Sequence, residues 1–274
     1  MKILFFGDIM GKAGREALAA VLPKLKKKYD PDFVIANGEN LAHGMGITRR
    51  TFKELMDCGV DAVTGGNHIF AKEDGINLLQ DEKKPIIRPL NYPEKTAGRG
   101  FLILQSGIKR LLLINLNGRV FMKESLEDPF AGVQTLLEKY GLGEEAFDEG
   151  RERMDGILVD FHAEATSEKK AMGYFLDGRV SAVLGTHTHV QTNDDRILAE
   201  GTAYISDAGM AGVEDSVIGA EKDKIINRFL DKIDSKIKVA GEGPAEINGV
   251  FLRLDRKTGL ALNIDKIRER VVKY

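Results

Sequence analysis

Apolar positions along this chain fall in short unbroken runs, each followed by a turn and then a polar group. Lys2–Phe6, Phe33–Ala36, Val60–Thr64, Gly156–Phe161 and Val180–Leu184 are runs of this kind. At that length and composition they read as strands buried on both faces. Between them the apolar spacing changes to three and four. Leu18, Val21, Leu22 and Leu25 mark a helix over Arg15–Tyr29, which Pro23 should kink. Thr48 caps a second helix that runs to Cys58, with Gly59 as its stop. Further helices are expected over Glu73–Leu79, Phe130–Tyr140, Ser167–Leu176 and Lys222–Asp234.

Other segments alternate as hairpins do. Phe101–Gln105 and Leu111–Asn115 flank Ser106–Lys109, and Ala245–Asp255 and Leu260–Ile267 form a closing hairpin. Arg196–Leu198 and Thr202–Ile205 read as short antiparallel strands, and Pro85–Arg88 as one more short strand. Gly7 and Ser206–Met210 read as turns. Gly156–Phe161, Ser167–Leu176 and Val180–Gly185 make a parallel strand–helix–strand crossover. The class is therefore α/β, with a mixed sheet or a second sheet. Residues 117–153 are the least core-like span and rich in acids, among them Glu124, Glu127, Asp128, Glu145 and Asp148. They read as an excursion that caps a site or meets a partner. Its Arg119 is the one phosphate-directed candidate there, and a lone arginine is ordinarily surface. No repeat and no low-complexity segment interrupts the chain.

Each buried run leads to a side chain able to bind a ligand. Asp8 ends the first, Glu39 and Asn40 the second, Asn67 and His68 the third, His162 the fourth, and His187 and His189 the fifth. Four of the chain's five histidines sit in this context. Open α/β sheets bind ligands at the carboxyl ends of their strands. If His187–His189 is extended, both imidazoles point the same way and share one target. Gly65 and Gly66, directly before Asn67-His68, imply close approach of backbone to something.

Composition narrows the partners. Of 274 residues, 43% are hydrophobic, enough for a sizeable core in one large domain with a small insertion. A net charge of −2 leaves no basic footprint for long nucleic acid or an anionic membrane. Cys58 is the only cysteine, which excludes an internal disulfide and a thiolate cage, and it reads as an apolar filler at a helix end. The N-terminal apolar run is too short for a signal or membrane segment, so the expectation is a soluble, cytoplasmic protein.

Carboxylates, amides and imidazoles without sulfur suit first-row ions such as iron, manganese or zinc. Asp8, Glu39, Asn67, His162, His187 and His189 are too many ligands for one ion, with Asn40 a further candidate and Glu39 the candidate bridge. Two ions about 3.5–4 Å apart make a clamp for displacement at phosphorus and lower the pKa of a water between them. His68, next to Asn67, is placed to protonate a leaving oxygen. His43 lies nearby as a loop residue, Thr186 and Thr188 orient the turn, and Asp207 either orients a histidine or caps a turn. No Gly-x-Ser-x-Gly elbow supports Ser206 as a nucleophile, and Gly11–Gly14 lacks the ending of a Walker loop.

The order Gly7-Asp8, Gly38-Glu39-Asn40, Gly66-Asn67-His68, His162 and Gly185-Thr186-His187-Thr188-His189 resembles the calcineurin-like metallophosphoesterases. Met10 stands where their first motif has a histidine, and Glu39 with Asn40 where they have a bridging aspartate. These departures, with Val159–Lys169 and Gly185–Asp194, resemble the bacterial YmdB-like branch over nearly the whole chain. The resemblance implies a single domain over residues 1–274, a two-sheet metallophosphoesterase sandwich flanked by helices, with residues 117–153 as a capping or interface excursion. It implies a phosphodiesterase with two metal ions, iron first and manganese as the alternative, acting on 2',3'- or 3',5'-cyclic AMP. Asp8, Glu39, Asn40 and His189 would hold one ion; Glu39, Asn67, His162 and His187 the other; and His68 would be the acid. It also implies a homo-oligomer. Two other readings stay open: a phosphomonoesterase or nuclease with the same ligands, and a metal-stabilised regulatory scaffold.

Overall fold

A computed structural model of the chain describes residues 1–144, 146, 149–231 and 237–272. Two six-stranded mixed sheets lie face to face. In the first, β1 (Lys2–Ile9) is central and parallel to β2 (Phe33–Asn37), which is parallel to the edge strand β3 (Ala62–Thr64). In the second, β8 (Gly156–His162) is central and parallel to both β5 (Lys109–Asn117) and β9 (Ala182–Thr186). β4 (Phe101–Ser106) pairs antiparallel with β5 at one edge. At the other, β11 (Ala203–Ile205) runs parallel to β9 and β10 (Arg196–Ile197) antiparallel to β11. A separate parallel pair joins β6 (Tyr140–Leu142) to β7 (Glu152–Met154).

The period of two along each strand decides the layers. Ile3 and Phe5 of β1 face the second sheet, while Leu4 and Phe6 face helices on the outside. Leu111 and Leu113 of β5 meet them across the sandwich, and Leu112, Ile114 and Leu116 point outward. The outer face of the first sheet is covered by α1 (Gly11–Tyr29), α2 (Arg49–Cys58) and α3 (Glu73–Gln80), through Leu18, Leu22, Leu55 and Leu78. The second is covered by α4 (Pro129–Lys139) and α5 (Thr166–Phe175), through Val133, Leu137 and Met172. Full burial of each such side chain contributes about 1.5–3 kcal/mol. This is the two-sheet, helix-flanked α/β sandwich expected. One helix differs. α6 (Lys222–Asp231) leaves most of its described side chains exposed, including Phe229 and Leu230. Residues 232–234, expected to extend it, lie outside the described residues.

Several local expectations change. β1 continues through Gly7, because a strand the sequence hides, β12 (Met210–Val213), pairs with its far end. A Cβ on Gly7 would lie 1.7 Å from the carbonyl oxygen of Gly209, so this glycine serves close strand approach rather than a turn. The same pairing converts the end of the expected Ser206–Met210 turn into strand. The first helix starts at Gly11 and runs through Pro23 to Tyr29. Pro85–Arg88 makes a single bridge, Ile86 to Val63, instead of a strand. The closing hairpin forms as β13 (Ala245–Leu254) and β14 (Ala261–Val271), with β13 antiparallel to the first half of β1. The Thr48 cap forms a reciprocal pair with Thr51, and Gly59 ends α2 at φ 103°. Within 117–153, Asp128 caps α4, and Arg119 donates to Asp128 at 2.8 Å. Glu145 and Asp148 of that span lie outside the described residues.

The parallel strands β1, β2, β3, β8 and β9 all end at one rim of the sandwich, and there their loops meet.

Candidate metal centre

All eight sequence-predicted residues come together at this rim. Asp8 is buried near the end of β1; Glu39 and Asn40 follow β2, Asn67 and His68 follow β3, His162 ends β8, and His187 and His189 follow β9. Asp8, Glu39, Asn40 and His162 are buried at 1% exposure or less. So much polarity can be buried only if each group finds a partner.

Four donor atoms converge on one spot. His162 Nε2 is 3.0 Å from Asn67 Oδ1, 3.0 Å from His187 Nδ1 and 3.3 Å from Glu39 Oε2. Gly66 makes this packing possible: a Cβ there would lie 2.1 Å from Glu39 Oε2 and 2.6 Å from His162 Nε2. A second group adjoins it. Asp8 Oδ1 is 3.8 Å from His189 Nε2, and Asn40 Nδ2 is 3.2 Å from the same nitrogen. Asn40 turns its amide nitrogen to Asp8 and His189 and its oxygen to His68 Nδ1, at 3.0 Å. The backbone N–H of His187 donates to Asp8 Oδ2 at 3.0 Å and ties the two groups together.

The His-Thr-His turn is not extended. His187 and His189 have φ of 101° and 66°, in the left-handed region that non-glycine residues avoid. The two rings consequently address different halves of the cluster instead of a shared target. Asp207 holds the turn: its Oδ2 accepts from Thr188 N at 3.0 Å, Thr188 Oγ1 at 2.8 Å and the buried Lys169 Nζ at 2.9 Å. Asp207 thus orients the segment between the two histidines. Ser206 Oγ hydrogen-bonds Asp194 Oδ2 at 2.6 Å and Tyr204 Oη at 2.9 Å.

The sequence reading missed Asp160, the anchor beneath the cluster. It is fully buried in β8 and accepts from Asn37 Nδ2 at 2.9 Å, from Thr64 Oγ1, and from Thr186 Oγ1 at 2.7 Å. Burial pushes its carboxyl up to about 6. A charge inside an otherwise apolar strand was the available signal. Glu164 was also missed; its Oε2 lies 3.1 Å from His187 Nε2 on the outer side of the ring.

The electrostatics describe a place made for a cation. Burial pushes the Asp8 carboxyl up. Burial pushes Glu39 the same way, but the rings of His162 and His68 outweigh it and hold Glu39 well below the usual carboxylate range. Burial disfavours the imidazolium of His162, yet Glu39 and Asp8 raise it to about 9. Burial and the neighbouring His162 push His187 down to about 3. The converging atoms are a carboxylate oxygen, an amide oxygen and two imidazole nitrogens, the donor types that first-row metal ions take. Glu39, His162 and His187 together offer donor atoms within 4.8 Å of one another.

On the open side, a cavity of about 1650 Å³ adjoins the cluster, with Asn40, His68, His189 and the exposed His43 on its wall. His68 turns Nδ1 inward, 3.1 Å from Glu39 Oε1, which leaves Nε2 for a ligand in the cavity. Glu39 also accepts from the His68 backbone N–H at 2.9 Å. Burial disfavours the His68 imidazolium, but Glu39 outweighs that and raises its pKa. Among the described residues no helix is long and apolar enough to cross a membrane.

Comparison with known proteins places the chain among relatives matched over nearly its whole length. The chain is 44% identical over 267 residues to a 2',3'-cyclic-nucleotide 2'-phosphodiesterase of Bacillus subtilis (strain 168), covering 97% of this chain and 96% of that protein. A crystal structure of a hypothetical protein from Thermus thermophilus superposes with a TM-score of 0.89 at 41% identity, covering 98% of this chain and 99% of that one. One of a phosphatase from Mycoplasma pneumoniae also gives 0.89, at 34% identity and 98% and 93% coverage. The family described as YmdB-like protein matches residues 4–267, which span every strand end that feeds the cluster, and the chain belongs to that family.

Proposed function

We propose that this hydrolase cleaves phosphodiesters, cyclic nucleotides of the 2',3' type first and the 3',5' type second, at a centre of two metal ions. The observation that carries the reading is the convergence of five strand ends, from two sheets, on one cluster of oxygen and nitrogen donors beside a cavity. The names of its relatives, a phosphodiesterase and a phosphatase, support phosphoester chemistry.

In this reading Glu39, Asn67, His162 and His187 would hold one ion and Asp8, Glu39 and His189 the other, which Asn40 would join through its oxygen once its amide turns over. Iron is the first candidate and manganese the second, since both accept carboxylate, amide and imidazole ligands. The ions, when bound, supply charge neutralisation at phosphorus and an activated water. The chain's own residues do the rest. Thr186 and Asp160 fix which nitrogen of His162 faces the cluster. Asp207 and Lys169 hold the His187–His189 turn. His68, with Nδ1 donating to Glu39, presents a proton on Nε2 to the leaving oxygen, a role worth about 10²–10⁴-fold in rate. Residues 1–274 act as one domain, and cytoplasmic location and self-association belong to the same proposal.

The test is hydrolysis of 2',3'-cyclic AMP, 3',5'-cyclic AMP and a generic phosphomonoester by protein as purified, stripped of metal, and reloaded with iron or manganese. Diester cleavage lost on stripping and regained on reloading supports the proposal. Cleavage of the monoester alone moves the function to phosphatase. No turnover in any metal state defeats the enzymatic reading and leaves the cluster as structure.

A further inference from the structure

The cavity beside the cluster has two unlike ends. Asn40, His68 and His189 form the inner one. The outer walls are mainly apolar, and they are built with care. Met10 and Val239 line the floor, where a Cβ on Gly44 would lie 2.4 Å from Val239 Cγ2 and one on Gly219 would lie 2.7 Å from Met10 Cε. Both glycines have positive φ, 80° and 92°, so side chains are kept off this floor twice over.

One wall is fastened to the cluster itself. His189 Nδ1 lies 2.8 Å from the carbonyl oxygen of Ile218, a hydrogen bond that joins the segment carrying Ile218 to a candidate ligand. That segment leads into α6. Ile225 and Phe229 are four residues apart, hence on one helix face, and both line the cavity. Phe229 is 80% exposed, and Met45 reaches in from another loop at 49% exposure. Lys72, Lys123 and Arg228 also line the cavity, and their charge complements an anionic ligand.

A phosphodiester held at the cluster must place its organic group somewhere. A bare phosphate or a small polar ester has no use for an apolar floor and an exposed aromatic ring. A flat, weakly polar ring attached to a sugar phosphate has use for both, and every base offers a face for stacking. We propose that this cavity receives the nucleobase of the substrate, with Phe229 stacking on it and Met45 covering its other side, as specificity-determining residues. The inference rests on the phosphodiesterase reading above and adds to it the side of the substrate that this chain recognises.

The experiment compares 2',3'-cyclic AMP with base-free ribose 2',3'-cyclic phosphate on metal-loaded protein. Phe229→Ala should raise KM for the nucleotide roughly tenfold, the scale of one lost base–aromatic stack. It should leave kcat, and KM for the base-free ester, unchanged; Met45→Ala should act in the same direction. The chain has no tryptophan, so Phe229→Trp introduces a single reporter. It should keep the nucleotide KM, and its fluorescence should be quenched by adenosine. Equal KM values for the two esters in the unaltered protein would overturn the proposal, as would a variant that slows both alike. A change of mass in solution with both substrates slowed would identify Phe229 as a contact to a second copy of the chain, and that too would overturn it. If neither ester is cleaved, the phosphodiesterase reading has failed. Quenching of Phe229→Trp by adenosine would then still uphold the base site, and absence of quenching would end it.

Discussion

The hydroxyl of Thr186 gives the ring of His162 a direction. It donates to the buried carboxylate of Asp160 at 2.7 Å, so its oxygen is left to accept from His162 Nδ1 at 2.9 Å. The proton of a neutral His162 is therefore on Nδ1, and Nε2 faces Asn67 and His187 as a bare donor. Partners of this kind set the tautomer and basicity of a metal-binding histidine. Asp160 in turn is tied to Asn37 and Thr64, so β2, β3, β8 and β9 share one polar anchor under the cluster.

Thr186→Val keeps the shape of that side chain and removes the hydroxyl. Metal affinity should fall by about 10–100-fold, the usual loss for such a partner. Stability should fall by only about 1–3 kcal/mol, for the polar atoms left without a partner. Calorimetric titration of stripped protein with manganese checks the first and urea unfolding the second. Thr186→Ser should restore both. Unchanged metal affinity would show that the hydroxyl does not act through His162.

Gly66→Ala tests the cluster from the backbone side. Its methyl would have to share space with Glu39 Oε2, 2.1 Å away, and His162 Nε2, 2.6 Å away, both on buried side chains. One of the two must leave, and with it the four-donor convergence. Metal content after dialysis should drop by at least one ion per chain while the circular-dichroism spectrum stays that of the unaltered protein. Full metal content would mean that the convergence is not where an ion binds.

Much of this was legible from the chain alone, for a physical reason. A strand buried on both faces is apolar over most of its length, so the polar residue at its end is conspicuous, and the five strand ends could be read one by one. What needed the fold were features set by distant partners. Met210–Val213 is four residues with a glycine, and it becomes a strand only because β1 and β13 offer it edges. Gly7 looks like a turn locally and serves instead to let Gly209 approach. Asp160 and Lys169 sit inside a strand and a helix, and only the tertiary structure supplies the groups that make their burial tolerable. The conformation of the His187–His189 turn was hidden as well, since its positive φ values depend on Asp207 and Asp8 gripping it from two sides.

His68→Ala separates chemistry from metal binding. His68 is at the cavity wall and bonds Glu39 and Asn40 from the edge, outside the four-atom convergence. Its loss should leave metal content near that of the unaltered protein and lower kcat by about 10²–10⁴-fold. His187→Ala, which removes a converging donor atom, should lose both metal and turnover. Paired measurements of metal content and kcat on the two variants decide the matter. Parallel losses in both would mean that His68 is a ligand and no acid.

Lys169 is the residue whose role is easiest to mistake for plain stability. Its ammonium is 2.9 Å from Asp207 Oδ2, and the two side chains are 3% and 1% exposed. The same oxygen holds Thr188 between the two histidines. Lys169→Met would leave a buried carboxylate without its counter-charge, at a cost of about 3–5 kcal/mol. The carboxylate would then draw in water or a proton and relax its grip on the turn. The expected outcome is a lowered urea midpoint together with weakened metal binding, in a variant that touches no ligand. Lys169→Met combined with Asp207→Asn removes both charges and should recover part of the stability but not the metal affinity, because the amide offers one acceptor where the carboxylate served the Thr188 turn and Gly209 together. Recovery of metal affinity along with stability would mean that the pair supports the fold in general and the His187–His189 turn only incidentally.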